Sequence, residues 1–134
     1  MTEFPLKIVT PDGPVFEGPA EEIVVRSVSG DLAILARHEN FVTALGMGQA
    51  LIVAKGQRRT AACIGGMLSV VNGNVTLLPT TFEWADQIDV SRAEASQRRA
   101  DAVLHNKDAT DTEIKLAEAR LRRALVRKGV ANAK

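Results

Sequence analysis

From Phe4 to Phe82 the chain breaks into short apolar runs separated by turn residues. "FPLKIVT" alternates loosely and ends at Pro11-Asp12-Gly13, a turn signal. In "EEIVVRSVSG" Ile23 and Val25 fall on one face of a strand and Val24 and Arg26 on the other, and the run stops at Gly30. "DLAILA" and "FVTAL" follow, the second broken by Gly46-Met47-Gly48. Two runs flank Lys55-Gly56-Gln57, and two more flank Asn72-Gly73-Asn74. The latter is the strongest hairpin signal in the chain, because Asn and Gly accept positive φ at little cost. Short strands with frequent turns predict a sandwich or barrel. No helix fits between the runs, which excludes parallel βαβ units and the phosphate loops built on them. Gly65-Gly66 precedes another strand and reads as a turn or bulge.

After Pro79 the period changes. The polar stretch "TTFEWADQ" reads as the close of the β-region, with Trp84 as a packing anchor at the junction. Asp89 is a good N-cap, with Ile88 before it as a hydrophobic staple. Val90 to about His105 contains no Gly or Pro, and Ala93, Ala95, Ala100, Ala102, Val103 and Leu104 give it a small apolar stripe. "HNKDAT" interrupts this helix. Thr110 and Glu113 have capping-box spacing and open a second one, expected to stop at Gly129, with Ile114, Ala117, Leu121 and Leu125 as its stripe. The prediction is a mainly β fold with added α: a β-sandwich over 1–86 and an antiparallel two-helix hairpin over 87–134. A hairpin with an alanine seam buries little area and depends on docking to something else.

Composition narrows the function. Hydrophobic residues make up 46% of 134, enough for a core, and the net charge of +1 gives no electrostatic reason to expect nucleic acid. Aromatics are 4% with no tyrosine, so a base-stacking surface is not expected. The single cysteine, Cys63, allows no internal disulfide and no cysteine-based metal site. No signal peptide is read at the N-terminus, and no run approaches the ~18 apolar residues of a membrane span.

The arginines are the candidate chemistry. Arg92 and Arg99 share one face of the first helix; Arg120, Arg123 and Arg127 share one face of the second. If the faces converge they form a cationic cleft, and arginine forks bind phosphate oxygens bidentately. Spacing alone also fits a solvated charged face with pairs such as Glu118 and Arg122. His38 lies near Asp31 and Glu39, but no nucleophile motif accompanies it, so acid–base catalysis is not expected.

The order of these segments resembles the epsilon subunit family of bacterial F-type ATP synthase. "FPLKIVTPDGPVFEG" is similar to the family's opening. "GDLAILARHENFVTAL" is similar to G-E-L-G-I-x-P-x-H-x-P-L-L-T, without its two prolines. "IGGMLSVVNGNVTLLPTTFEWADQID" is similar to the family's G-G-x-x-E-V stretch and the I-D that ends it, with Ser69 in place of the glutamate. The resemblance implies a flattened sandwich and a helical hairpin in a non-catalytic central-stalk subunit. It implies that the sandwich contacts the gamma subunit and the c-ring, with Asp31 and His38 as the contact residues by position. It implies a hairpin that folds on the sandwich or extends toward the alpha and beta subunits, where it impedes ATP hydrolysis. The expected place is the cytoplasmic face of the bacterial inner membrane, held there only through the complex. Some members bind ATP in the folded hairpin through I/L-D-x-x-R-A, matched by Ile88, Asp89, Arg92 and Ala93. Arg99, Arg123, Arg127 and Glu83 correspond to further residues of that site. ATP is thus the expected regulatory ligand, and no cofactor is required.

Overall fold

A computed structural model describes residues 2–133. The described residues form ten strands, a 3-10 turn and two helices. They divide into two compact units, one up to Trp84 and one from Ala85.

The first unit is a sandwich of two five-stranded sheets. One sheet has β1 (Phe4–Thr10), β2 (Gly13–Ala20), β5 (Phe41–Ala44), β8 (Met67–Val71) and β9 (Asn74–Leu78) in the order β2-β1-β9-β8-β5. The other has β3 (Glu22–Ser27), β4 (Gly30–Leu35), β6 (Met47–Ala54), β7 (Gln57–Ile64) and β10 (Thr81–Trp84) in the order β10-β7-β6-β3-β4. Neighbours are antiparallel except β1 and β9. The alternation in the sequence has its expected consequence. Leu6, Ile8, Ile23, Val25, Ile34, Ile52, Leu68, Val70 and Leu77 are fully buried between the sheets. Asn72 and Gly73 take φ of 50° and 80°, which makes the β8–β9 connection the tight turn the sequence predicts. Gly66 crosses from one sheet to the other at φ 98°, and a Cβ there would lie 2.0 Å from the Leu78 carbonyl oxygen, so only glycine fits.

Two strands go beyond the sequence reading. β2 carries Pro14, Pro19 and two glycines, and β10 lies in the stretch read as a polar close. Both are edge strands, where a missing N–H or a polar side chain costs little. Trp84 ends β10 inside the sandwich's own core, edge-on to Phe82 and beneath the Arg59 guanidinium at 3.6 Å.

The second unit holds the turn Ala85–Gln87, α1 (Val90–Leu104) and α2 (Asp111–Asn132). Asp89 caps α1: its carboxylate accepts the Arg92 N–H at 3.0 Å. Thr110 and Glu113 form the capping box, with reciprocal bonds of 3.1 and 2.9 Å. Hydrogen bonding to the Glu113 carboxylate, from the Thr110 backbone N–H first and the Thr110 hydroxyl second, favours its ionised form and holds the carboxyl below its ordinary value.

Two details of the hairpin correct the sequence reading. α2 does not stop at Gly129 but continues to Asn132. Val130 and Ala131 are buried there, and tertiary packing outweighs the roughly 1 kcal/mol that glycine costs a helix. Leu125 is 47% exposed, and the buried line of α2 runs through Ala117, Ala124 and Ala131 instead. On α1 the buried positions are Ala93 and Ala100, while Ala102 is exposed. The seam is therefore almost entirely alanine.

Candidate functional site

The helical unit places its arginines relative to that seam. Arg92 and Arg99 each precede a buried alanine, Ala93 and Ala100, by one position; Arg123 does the same before Ala124. In an antiparallel pair, positions that precede the seam on each helix lie on the same side of it. Gln97 accepts a hydrogen bond from Lys128 Nζ at 2.9 Å, which sets the level at which the helices meet. Arg99 and Arg127 thus flank the seam at one level, and Arg92 lies seven residues away, about 10 Å along α1. Arg92 and Arg99 are exposed; Arg123 and Arg127 are half-buried.

The motif Ile88–Ala93 has local structural work as well. Asp89 is committed to the helix cap, Ile88 is half-buried, and Ala93 is buried in the seam at 4%. Asp89 and Arg92 are the exposed residues among the motif's distinctive positions. Glu83 belongs to the other unit, half-buried on β10 opposite Ala62.

The sandwich places Asp31 and His38 apart. Asp31 is the second residue of the edge strand β4, directly across from Arg26 of β3, and Arg26 Nε lies 3.0 Å from its carboxylate. His38 lies beyond the far end of β4. Its Nδ1 is 2.8 Å from the Glu39 carbonyl, and its ring meets Phe41 edge-on at 5.8 Å. At about 3.3 Å per strand residue, Asp31 and His38 are more than 10 Å apart and do not act on one group. Where the proline pattern has its second proline, Asn40 accepts the Asn72 N–H at 2.8 Å and ties this loop to the β8–β9 turn. Around the β3–β4 turn and along β5 and β8, the large apolar side chains Val28, Val42, Met67 and Val71 are exposed. No sequence signal marked Val42, Met67 or Val71, because in their strands they follow the same alternation as solvated residues.

Among the described residues no group of three metal-ligating side chains comes together, and no helix is long and apolar enough to cross a membrane.

Residues 3–85 match the model of the ATP synthase delta/epsilon chain β-sandwich domain, and residues 86–132 match that of the delta/epsilon chain long α-helix domain. The chain belongs to the epsilon subunit family of F-type ATP synthase. An ATP synthase epsilon chain of Bacillus velezensis is 44% identical over 126 residues, covering 94% of this chain and 95% of that one. One of Ruminococcus albus is 38% identical over 135 residues, covering both chains in full. In fold the chain is similar to a subunit in the Euglena gracilis mitochondrial ATP synthase structure of OSCP, F1 and c-ring. There the TM-score is 0.84 at 20% identity, over 100% of this chain and 83% of that one. A Tetrahymena thermophila central stalk and c-ring structure gives 0.63 at 15% identity, over 97% of each chain.

Proposed function

We propose that this non-catalytic subunit of ATP synthase links the gamma subunit to the c-ring through its sandwich and restrains ATP hydrolysis through its helical hairpin. The observation that carries the reading is the unbroken match of both domains to family models over 3–132, with full-length relatives named as epsilon chains. Two features support the division of labour. The sandwich has a complete core of its own and exposed apolar side chains on its surface, which suits a permanent contact. The hairpin has an alanine seam, which suits an element that exchanges one docking site for another. Asp31 at the sheet edge is a polar contact in this reading, and His38 a second one at the other end of β4. The protein works at the cytoplasmic face of the bacterial inner membrane, held there by the complex. A tagged chain purified from gently solubilised membranes is expected to bring the gamma subunit and c-ring with it in fixed ratio. Its recovery free of gamma would refute the reading.

A second reading is favoured by the shared side of the arginines: the folded hairpin binds ATP and is latched by it. Arg99, Arg123 and Arg127 supply phosphate donors in a cluster, with Arg92 at its end. Calorimetric titration with ATP, with and without magnesium and up to millimolar concentration, tests it. Saturable binding lost on Arg92→Ala is expected. Absence of binding leaves the arginines as partner contacts or a solvated face.

A further inference from the structure

Arg26 sits in a slot made of glycine. A Cβ added to Gly48 would lie 2.6 Å from Arg26 Cβ, 3.2 Å from its Cγ and 3.6 Å from its Nε. One added to Gly46 would lie 3.3 Å from Arg26 Cγ and 3.3 Å from the Ser27 carbonyl oxygen. The Gly46 N–H donates to the Arg26 carbonyl at 2.9 Å, so the two segments are joined where the side chain crosses. Neither glycine has a positive φ, so what the chain needs here is space rather than backbone freedom. The stem of Arg26 therefore lies flat against bare backbone, and its Nε reaches the Asp31 carboxylate at 3.0 Å.

An exposed ion pair normally contributes little, because two free side chains must be held in one geometry. Here the glycine slot has already restricted one of them. Arg26 and Asp31 are also directly opposed in the β3–β4 register. Yet the side chains are 50% and 65% exposed, so the Asp31 carboxylate keeps free oxygen lone pairs facing outward. That is the arrangement of a carboxylate held for a partner rather than consumed in the fold.

We propose that Arg26, seated on Gly46 and Gly48, is the positioning residue that fixes Asp31 for its contact in the central stalk. This rests on the reading of Asp31 as a stalk contact. The partner group is a hydrogen-bond donor, cationic or neutral, that meets the free face of the carboxylate.

The test is a double-mutant cycle on the full chain. The probe is ATP synthase in membranes stripped of this subunit, and the readout is the chain's rebinding affinity. Asp31→Asn, Arg26→Ala and the double variant are compared, with the thermal midpoint of each recorded. Asp31→Asn and Arg26→Ala are each expected to weaken rebinding about threefold, and the double variant no more than either alone. Gly48→Ala should match Arg26→Ala in rebinding; because its new methyl meets Arg26 Cβ, its thermal midpoint is read alongside, and the cycle stands without it. If Asp31→Asn leaves rebinding unchanged, the stalk-contact reading fails and this inference with it. If Asp31→Asn weakens rebinding while Arg26→Ala does nothing, or adds independently to it, Arg26 does not position Asp31 and the contact reading survives.

Discussion

Asp89 and Arg92 are three residues apart and connected by a hydrogen bond, yet they do different things. Asp89 satisfies an N–H that the helix leaves open; Arg92 gives only its backbone to that bond and keeps its side chain for solvent or ligand. Asp89→Ala should therefore cost about 1 kcal/mol of helix stability, seen as lost ellipticity on mild heating. Arg92→Ala should leave the helix content unchanged while removing any ATP binding, and a loss of helix on Arg92→Ala would contradict this division. Cys63 is a second residue whose environment sets its behaviour. Burial between the sheets pushes its thiol up from an ordinary value of 9.0 to about 12. The folded protein then holds the thiol proton more tightly than the unfolded chain. Its contribution to stability is intact below pH 9 and is lost as the pH climbs from 9 toward 12. Near neutrality iodoacetamide should label Cys63 only as fast as the sandwich opens. Labelling of the native protein at the rate of a free thiol would show that the site is not closed. Glu113 carries the opposite sign. Its pKa is lowered by the capping box, so that contribution holds above the ordinary carboxylate range and fades as pH falls below 4.5.

At the scale of elements, the hairpin seam is the feature with the sharpest consequence. Ala100 is completely buried and Ala124 is 1% exposed, so the helices meet with no room for a larger side chain. Ala100→Leu should cost about 1–3 kcal/mol through overpacking. The cost should fall on the hairpin alone. Trp84, the one tryptophan, lies in the sandwich core and reports that unit, while ellipticity at helical wavelengths reports α1 and α2. A lowered helical transition with an unchanged tryptophan transition is the expected result; a joint shift would mean the two units unfold as one. Most of these elements were legible from local chemistry. The Asn72-Gly73 turn, the Asp89 cap and the Thr110–Glu113 box are each decided within four residues, and the sequence carries all of that information. β2 and β10 were not legible, because an edge strand needs neither alternation nor freedom from proline; the partner of β10, β7, also lies beyond two intervening strands. The end of α2 was misread for a related reason: Gly129 is a helix stop by local propensity, and the burial of Val130 and Ala131 overrides it. The arginines were legible as two faces, but their shared side depends on which alanines form the seam. That in turn depends on the level set by Gln97 and Lys128.

At the scale of the whole molecule, the two units have unlike means of stability, and this bears on what each can do in the complex. The sandwich buries large aliphatic side chains from both sheets, whereas the hairpin buries mainly methyl groups. Burial is worth about 0.8 kcal/mol per methylene-sized group, so an alanine seam offers far less per contact than the isoleucine and leucine core. A hairpin of this kind is held by whatever it docks on, and its docked and released states need differ by only a few kcal/mol to exchange. A chain ended after the sandwich should therefore still fold and still rebind stripped ATP synthase, because the core and the exposed apolar strands remain. It should no longer restrain hydrolysis. The measurement is paired: ATP hydrolysis and proton pumping in membranes reconstituted with the full or the shortened chain. If the hairpin is the restraint, hydrolysis rises with the shortened chain while the protons pumped per ATP stay the same. If pumping per ATP falls as well, the hairpin also helps to couple gamma to the ring. If neither changes, the hairpin does not regulate this enzyme, and its arginine side must serve some other partner.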